Sequence, residues 1–358
     1  MYYPGLKGIT AVETALSEIN GEKGNLFYRG VPVEKLIEKH SFEEVVYFLL
    51  SGKKLDENGI HVLNDRMKEA RAINENTKNV LDQFIHQQSL IASIRSAISC
   101  LDESRDHWPI NEMEVVDVIA KLPTIIAYLY RRKRGLEPVE PKHHLSHAAN
   151  FLYMLFGEEK TEKEAAALEA YMILTAEHGL NASTFAARVV ASTQSDIYSA
   201  ITAGIGALKG PLHGGAPSGV LTYIEEVQGS TVEEVVKNKI VQNEKIMGFG
   251  HRIYQVKDPR AKALQQLILK MDPIPDWAEF LLDVEQQTET WLNQLKPGRN
   301  LYANVEYYAA AIMKAIEIPA ELFTPIFCSS RIVGWSAHIM EQSRNNVIFR
   351  PQAKYIGS

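Results

Sequence analysis

The sequence predicts an all-α fold with a minor N-terminal β-hairpin, in one large domain or two ordinary ones. Apolar residues recur at positions i, i+3 and i+4 along most of the 358-residue chain, which is the spacing of one face of a helix. Several of these stretches begin with a capping signature, so their starts can be placed. Strand signals are few and do not alternate with helices, which argues against a doubly wound sheet.

The clearest strand signal lies near the N-terminus. Residues Glu13 to Gly30 alternate weakly around Asn20-Gly21, which predicts a small hairpin because Asn-Gly favours a tight turn. Further along, the basic run Arg131 to Arg134 stands before Gly135. That order indicates the C-terminus of a helix, where cations face the negative end of the dipole and glycine caps the last turn.

Helix starts recur through the rest of the chain. A Ser or Thr three residues before Glu predicts a capping box, and Asp or Thr before Pro supplies the N-cap and first helical position. The helix after Asp196 stops at Gly210-Pro211. No linker-like tract is present, so short loops at Gly210 to Gly215 and Leu295 to Asn304 are the candidate passages between domains. The predicted helix starts are Ser41 with Glu44, Thr161 with Glu164, Asp196, Thr231 with Glu234, Asp258-Pro259 and Thr324-Pro325.

Charge and composition argue against several classes of function. The net charge of −6 disfavours nucleic acid as the main partner, although a local arginine cluster can still bind small anions. The two cysteines, Cys100 and Cys328, form no CxxC pair, so neither a zinc motif nor a disulfide framework is indicated. Residues 1–10 lack the apolar core of a signal peptide, and no apolar stretch is long enough to span a bilayer. We expect a cytoplasmic protein with no membrane partner.

Two motifs that could bind a cofactor or a metal are weak. The Gly-x-Gly-x-x-x-Gly pattern over residues 204–210 resembles a dinucleotide loop, but it lies inside a helical pattern and its spacing is wrong. His143, His144 and His147 have no nearby carboxylate partner and are better explained as surface histidines of a connector. We therefore predict no metal site.

Three segments combine residue types that carry chemistry. Two glycine-flanked loops hold His213 and His251, and glycine lets the backbone approach a ligand closely. Arg260 follows the second loop in the first turn of a predicted helix, where unpaired N–H groups and the dipole favour anions. Glu306 lies in the first turn of a helix that Asn304 can cap, where the dipole stabilises an ionised carboxylate. Each feature alone is common in helices and loops of any protein, but their combination indicates a catalytic site.

In this order, the motifs resemble those of the citrate synthase family. The resemblance extends nearly from one end of the chain to the other, and the two histidine loops are highly specific when found together. The segments that carry it are Gly5-Leu-Lys-Gly-Ile9, Glu13-Thr14, Leu26-Phe-Tyr-Arg-Gly30, Glu177-His178-Gly-Leu-Asn181-Ala-Ser183, the loops of His213 and of His251 to Arg260, Ser330-Arg331-Ile-Val-Gly-Trp335, and Phe349-Arg350-Pro351.

The resemblance implies a citrate-synthase-like fold and a Claisen-type condensation. Residues 1–211 and 309–358 would form a large helical domain, and residues 212–308 a small one. The substrates would be acetyl-CoA and oxaloacetate and the products citrate and CoA, so the CoA thioester is a substrate and no cofactor is bound permanently. The working unit would be a homodimer in which Arg350 reaches the active site of the other subunit.

The resemblance also assigns roles to single residues. His213 resembles the histidine that hydrogen-bonds the thioester carbonyl as it becomes an enol, and His251 the one that polarises the keto group of oxaloacetate. Glu306 occupies the position of the base that removes the α-proton. A carboxylate alone cannot remove so weakly acidic a proton, so a donor to the carbonyl must already be in place. The residues that resemble those holding the substrate carboxylates are His178, Arg260, Arg331 and, across the dimer, Arg350.

Three positions depart from the family pattern. Glu306 stands where Asp is usual, Pro217 where Asn is common, and Gln352 where Arg is common. A 2-methylcitrate synthase that uses propionyl-CoA is an alternative, because one methylene in an apolar pocket is worth only about 1–3 kcal/mol. A weakly active homologue that binds metabolites or partners is a third interpretation, which rests on Glu306.

Overall fold

The chain folds into α-helices with one small sheet, which confirms the predicted all-α class and its minor β element. The computed structural model describes residues 2–53, 56–101, 108–214, 216–271 and 273–357. The helices within these ranges are α1 Val33–Lys39, α2 Phe42–Ser51, α3 Glu57–Ala70, α4 Glu75–Asp82, α5 Leu90–Ser99, α6 Glu112–Lys133, α7 His147–Phe156, α8 Glu162–Thr175, α9 Ala182–Ser192, α10 Ile197–Leu208, α11 Ala216–Gln228, α12 Val232–Val241, α13 Pro259–Leu269, α14 Asp276–Leu295, α15 Val305–Ala315 and α16 Phe323–Arg344.

The predicted hairpin is present and is extended by a third strand. The strands are β1 Ser17–Asn20, β2 Asn25–Tyr28 and β3 Val31–Pro32, antiparallel in the order β1-β2-β3. Residues 21–24 form the turn between β1 and β2, so it is longer than a two-residue Asn-Gly turn. The Tyr28 hydroxyl is buried and lies within hydrogen-bond distance of backbone carbonyls in the last turn of α8 and of that of Glu177 (2.9 Å). The sheet is therefore anchored at the loop that carries His178.

Most predicted helix starts are confirmed by side-chain caps. Ser41 and Thr161 form full capping boxes with Glu44 and Glu164. Each such cap satisfies a backbone N–H that would otherwise lack a partner, which stabilises a helix by about 1 kcal/mol. The remaining confirmed N-caps are Asp196, Thr231, Asp258 and Asn304.

The predicted start at Thr324-Pro325 is wrong. Helix α16 begins at Phe323 and continues directly from a 3₁₀ turn at Ala320–Leu322. The Thr324 hydroxyl donates to the Gly214 carbonyl (2.8 Å), so it ties α16 to the turn that holds His213 and does not cap a helix. Pro325 is tolerated because it lies in the first turn, where a missing N–H breaks no helical bond.

Helix α16 is the central helix and is buried along most of its length. It packs against α6, α8, α9 and α10, and it carries Arg331 and His338 into the interior. The buried apolar side chains form one continuous cluster that includes residues of both predicted domains, such as Ile326 and Leu264. The predicted boundary at residues 308 and 309 falls within α15. The division into two domains stays a prediction.

Motifs that were discounted on sequence grounds have structural roles. The glycine pattern over 204–210 lies in and just after α10, as predicted, and a Cβ on Gly204 would lie 3.1 Å from the Trp335 ring. Gly204 therefore lets α10 and α16 approach closely. In the described parts of the chain, no helix is long and apolar enough to cross a membrane.

The prediction that His147 is a surface histidine is wrong. It is the first residue of α7, and its ring is buried and stacked on Phe42 with centroids 4.9 Å apart. Burial lowers its pKa to about 3, so it packs as a neutral ring. His143 and His144 are exposed, as predicted.

Candidate active site

A cavity of about 1520 Å³ brings most of the predicted site residues together. They come from elements far apart in the chain: the α8–α9 and α10–α11 connections, the loop before α13, and helices α13, α15 and α16. Arg350 does not line this cavity, because it is exposed in the extended segment that follows α16. The predicted residues that line it are His178, His213, His251, Arg260, Glu306 and Arg331.

The loop that carries His251 is fixed to the start of α15. Gly250 N–H donates to the Tyr302 carbonyl (2.8 Å), and Asn304 N–H donates to the Gly248 carbonyl (2.8 Å). Gly248 and Gly250 have φ of 87° and 85°, a conformation that glycine adopts without strain. A Cβ on Gly250 would also lie 2.8 Å from the Leu301 side chain. The positive φ is what favours glycine at these positions, because the end of the Leu301 side chain could shift to make room.

The hydrogen bonds of His251 determine its tautomer. The backbone N–H groups of Ile253 and Tyr254 both donate to His251 Nδ1, at 3.1 and 3.2 Å. Nδ1 is therefore an acceptor, and the proton of the neutral ring lies on Nε2. Burial, with the charge of Arg260, lowers the pKa of His251 to about 4. His251 thus presents a neutral Nε2–H donor at neutral pH.

His178 lies against the same loop. Its ring meets that of His251 edge-on with centroids 5.4 Å apart, and its Nε2 lies 3.1 Å from the Tyr254 hydroxyl. Burial holds the pKa of His178 well below its ordinary value, and the charges of Arg260 and Arg331 lower it further. The ring is neutral and shares a polar corner of the cavity with His251.

Arg260 is held by a buried carboxylate. Its Nε and Nη2 donate to the two oxygens of Asp258 at 3.0 and 2.8 Å, and both side chains are almost completely buried. Asp258 also accepts from the backbone N–H of Val305 (3.2 Å), which ties α13 to α15. Removing one partner of such a buried pair typically costs about 3–5 kcal/mol. Arg260 Nη1 has no partner among the described residues and remains available to a ligand.

Glu306 is a carboxylate suited to proton transfer near neutral pH. It lies in the first turn of α15, capped by Asn304, and lines the cavity. Burial raises its pKa to about 7, with Arg260 opposing and Asp258 assisting the rise. Within the described residues its carboxylate makes no hydrogen bond. A general base works best when its pKa is near the operating pH.

His213 is positioned by side chains from two other helices. It lies in the turn between α10 and α11, with its Nε2 2.7 Å from Ser183 Oγ at the start of α9. The same hydroxyl oxygen accepts from Trp335 Nε1 on α16 (3.0 Å). Burial, with the charges of Arg331 and Arg252, lowers the pKa of His213 to about 4. His213 is therefore also neutral at pH 7.

The tautomer of His213 depends on the direction of the Ser183 hydroxyl. Ser183 Oγ lies 2.7 Å from both His213 Nε2 and Asn181 Oδ1, and Asn181 Oδ1 also accepts the backbone N–H groups of Ser183 and Thr184, each at 3.1 Å. The hydroxyl has one proton, so it donates to only one of these two acceptors at a time. When it donates to His213 Nε2, the His213 proton lies on Nδ1, from which it can be donated to a ligand.

Arg331 has free donors. Its Nε donates to the Thr175 carbonyl at the end of α8 (2.7 Å), and its guanidinium carbon lies 4.7 Å from the centre of the Phe327 ring. Neither terminal nitrogen has a partner in the described part of the chain. Burial lowers its pKa to about 10, so it stays charged at neutral pH. It therefore offers the planar, two-pronged donor that a carboxylate matches.

Several residues that shape the site were not recognised as such from the sequence. In the sequence, Ser183, Asn181 and Tyr254 stand out only as parts of the family motifs, without roles of their own. Asp258 is predicted only as an N-cap. The signal for Asp258 was its position two residues before Arg260, since Asp at an N-cap can bond both the backbone and a first-turn side chain. Nothing in the sequence links Ser183 to His213. In the described ranges, no three His, Cys, Asp or Glu side chains gather as a metal site.

The fold and the site indicate an enzyme with an all-α scaffold and a cavity lined by neutral histidines, arginines and one carboxylate. A family model described as "Citrate synthase, C-terminal domain" matches residues 5–352. The citrate synthase of Haloferax volcanii is 38% identical to this chain, over 99% of the chain and 95% of the relative. The 2-methylcitrate synthase of Mycobacterium tuberculosis is also 38% identical, over 99% and 90%.

Solved structures agree with these relatives. The crystal structure of citrate synthase from Thermotoga maritima superposes with a TM-score of 0.88 at 37% identity, covering 100% of this chain and 96% of the other. A Thermoplasma acidophilum citrate synthase, in complex with carboxymethyl coenzyme A and oxaloacetate, gives 0.91 at 29% identity, covering 99% and 96%. The chain belongs to the citrate synthase family.

Proposed function

We propose that the protein condenses acetyl-CoA with oxaloacetate and water to give citrate and CoA. The observation that carries this proposal is that two neutral imidazoles, His213 and His251, line one cavity together with a carboxylate whose pKa is about 7. A condensation between a thioester and a keto acid needs one donor for each carbonyl and one base for the α-proton.

In the first step, Glu306 removes an α-proton of the thioester methyl group. His213 Nδ1–H donates to the thioester carbonyl oxygen, so the charge that develops there meets a donor already in place. Because the imidazole is neutral, its donor strength suits an enol-like oxygen rather than a fully charged one. Ser183 keeps the ring in the required tautomer.

In the second step, the enol carbon attacks the keto carbon of oxaloacetate. His251 Nε2–H polarises the keto oxygen, while Arg260, Arg331 and His178 hold the carboxylates. Arg331 contributes most of this binding, because both of its terminal nitrogens are free whereas Arg260 shares its charge with Asp258. Hydrolysis of the resulting thioester then releases citrate and CoA.

The size and charge of the cavity suit a long anionic thioester. Drug-sized ligands occupy pockets of about 300–1,000 Å³, and this cavity is larger. Lys245, Lys296 and Arg299 also line it and supply cations for phosphate groups. We propose that the CoA thioester binds here as a substrate and that no cofactor is bound permanently. We expect the enzyme to act in the cytoplasm.

A 2-methylcitrate synthase that uses propionyl-CoA is the second candidate. It is consistent with the Mycobacterium tuberculosis relative, which matches this chain at the same 38% identity as the citrate synthase of Haloferax volcanii. The same histidines and carboxylate would serve both reactions. A weakly active metabolite-binding homologue is the third candidate, because Glu306 replaces the usual Asp.

Release of the CoA thiol separates these candidates. The purified protein is given acetyl-CoA or propionyl-CoA, each with and without oxaloacetate, and thiol release is followed in time. A higher kcat/KM with acetyl-CoA, dependent on oxaloacetate, is the expected result. A higher kcat/KM with propionyl-CoA would favour the second candidate. No oxaloacetate-dependent release from either thioester would support the third.

We further propose that two chains share each active site. Arg350 lies outside the cavity of its own chain, on the exposed segment after α16, next to exposed apolar residues such as Val347 and Ile348. A two-fold dimer could place it in the partner's cavity, where it would hold a substrate carboxylate. Mixed dimers of Arg350→Ala and His251→Ala chains should then regain one working site each. Mixed dimers that form but stay inactive would contradict this arrangement.

A further inference from the structure

Glu177 is a fully buried carboxylate directly before His178. Its Oε1 accepts from the Ser17 hydroxyl (2.8 Å), from His338 Nε2 (3.1 Å) and from the backbone N–H of Gly179. Its backbone is held as well, because the Tyr28 hydroxyl contacts both its N–H and its carbonyl. The chain is therefore fixed on both sides of His178.

The partners of Glu177 continue away from the cavity as a chain of hydrogen bonds. Arg188 Nη1 donates to His338 Nδ1 (2.8 Å) and to the Glu341 carboxylate (2.7 Å). Because an arginine can only donate, His338 Nδ1 is an acceptor and its single proton lies on Nε2, directed at Glu177. Glu341 in turn accepts the backbone N–H of Ala15 (2.9 Å).

Glu177 also lies near the substrate-side arginine. Arg331 donates to the carbonyl of Thr175, two residues before Glu177, and helix α16 passes so close that a Cβ on Gly334 would lie 2.4 Å from Glu177 Oε2. Burial raises the pKa of Glu177, but His338, Arg331 and Ser17 lower it more, so the carboxylate is ionised. Its charge therefore partly offsets that of Arg331, whose terminal nitrogens have no carboxylate partner in the described part of the chain.

We propose that Glu177 is a positioning residue for oxaloacetate, with His338 and Arg188 fixing its orientation. It acts through its neighbours. It holds His178 in place by accepting the backbone N–H of Gly179, the residue that follows His178. It also supplies the buried negative charge that keeps Arg331 in position. It touches no substrate. This inference rests on the proposed function, because oxaloacetate is the ligand whose carboxylates His178 and Arg331 would hold.

The test is direct binding of oxaloacetate to the full-length protein by calorimetry, together with KM values for both substrates. Glu177→Gln keeps the size of the side chain and removes its charge. Its Kd for oxaloacetate should rise about 10- to 100-fold, the usual effect of losing a charge-assisted hydrogen bond. The KM for the acyl-CoA should change little. Glu169→Gln is a matched control. Glu169 is a partly buried carboxylate that, like Glu177, accepts a backbone N–H, here from Phe42.

Two further variants keep the proposal testable if Glu177→Gln does not fold. Ser17→Ala removes one bond to the carboxylate at a partly exposed strand, and should raise the oxaloacetate Kd by a smaller factor. His338→Gln keeps an N–H donor, so it should bind oxaloacetate more tightly than His338→Leu.

The outcomes separate this inference from the proposed function. A parent protein that binds oxaloacetate, with a Glu177→Gln or Ser17→Ala variant that binds it equally well, overturns the inference alone. Equal losses of oxaloacetate and acyl-CoA binding would show a merely structural role and overturn it too. A parent protein that binds no oxaloacetate overturns the proposed function and this inference together.

Discussion

The two histidines that would donate to the substrate carbonyls, His213 and His251, are held in different ways. His251 belongs to a unit made of residues 248–260 and 302–306, in which the donors to its ring are backbone N–H groups two and three residues further along. We call this unit the His251 half. His213 lies in a turn at residues 210–214 whose bonds to Ser183 and Thr324 reach into α9 and α16. We call this second arrangement the His213 half.

In the proposed mechanism both halves present a neutral imidazole with one N–H donor, but on opposite nitrogens. In the His251 half, backbone N–H groups of the same loop set the tautomer. In the His213 half, a single serine hydroxyl would set it across a helix interface. The His251 half should therefore tolerate changes elsewhere in the protein, whereas the His213 half should fail when one distant side chain is altered.

The largest expected effect belongs to the His251 half, where Glu306 is the proposed base. Glu306→Gln keeps the shape and removes the basicity, so kcat should fall about 10²- to 10⁴-fold. The Kd for oxaloacetate should stay close to that of the parent protein. Turnover near the parent rate in a folded variant that binds oxaloacetate would show that Glu306 only belongs to the first turn of α15.

Glu306→Asp sharpens the same test. Glu carries one more methylene than Asp, and a displacement of about 1 Å can cost roughly 100-fold in rate. If the backbone of α15 is set back to suit Glu, the Asp carboxylate falls short and the rate drops. A faster Asp variant would mean that Glu306 is an uncompensated substitution.

The next-largest effect is expected in the His213 half, when the Ser183 hydroxyl that contacts His213 is removed. Ser183→Ala removes the hydroxyl that directs the His213 tautomer, so kcat should fall about 10- to 100-fold, less than the roughly 10²- to 10³-fold of removing an oxyanion donor outright. Ser329→Ala is the matched control, because Ser329 on α16 is equally buried and its hydroxyl has no partner in the described structure. Similar kcat values in the two variants would contradict the tautomer argument.

The pH dependence of the rate tests whether both histidines are neutral. Burial raises the pKa of Glu306 to about 7 and lowers those of His213 and His251 to about 4. A base must be ionised, so kcat/KM should fall about tenfold for each pH unit below about 7, with a slope of one proton down to about pH 4. A slope of two protons between pH 7 and 5 would mean that a histidine also titrates there.

The pKa shift of Glu306 and those of His213 and His251 change the stability of the fold in opposite directions as the pH falls. Glu306 binds its proton more tightly when folded, so its contribution to stability is present below about pH 4.5 and is lost as the pH rises through about 7. The two histidines bind theirs less tightly, so they destabilise the fold as the pH falls below about 6.5 towards 4. Denaturant midpoints between pH 5 and 8 measure the net result.

The two halves also differ in how well the sequence predicts them. The caps at Asp258 and Asn304 follow from residue type and spacing, and they correctly placed Arg260 and Glu306 in first turns. His213 was correctly placed in a glycine-rich turn. Its contact with Ser183 was not predicted, because it depends on how α9, α10 and α16 pack, and periodicity does not specify packing partners.

Two errors have the same origin. Thr324-Pro325 carries a sound local start signal, but the preceding 3₁₀ turn continues into α16 and redirects the Thr324 hydroxyl to Gly214. His147 follows His143 and His144, which are exposed as predicted. Its own ring packs on Phe42 and is buried. In both cases a tertiary contact overrode a local rule. The role of Arg350 across a dimer stays a prediction.

The smallest expected effect tests whether the His251 half is a single hydrogen-bonded unit. Asn304 caps α15 through its side-chain oxygen, and its Nδ2 donates to the Gly250 carbonyl (2.9 Å). Asn304→Ser keeps a good N-cap but loses that second bond, so the free energy of unfolding should fall by about 0.5–1.5 kcal/mol. Asn74→Ser is the matched control, since Asn74 caps α4 with one bond, to Thr77 N–H, and makes no cross-link to another loop within the described residues. Denaturant titration of both variants measures the difference. Equal stabilities would show that the Gly250 bond adds nothing and that the loop and α15 are held together by their backbone bonds alone.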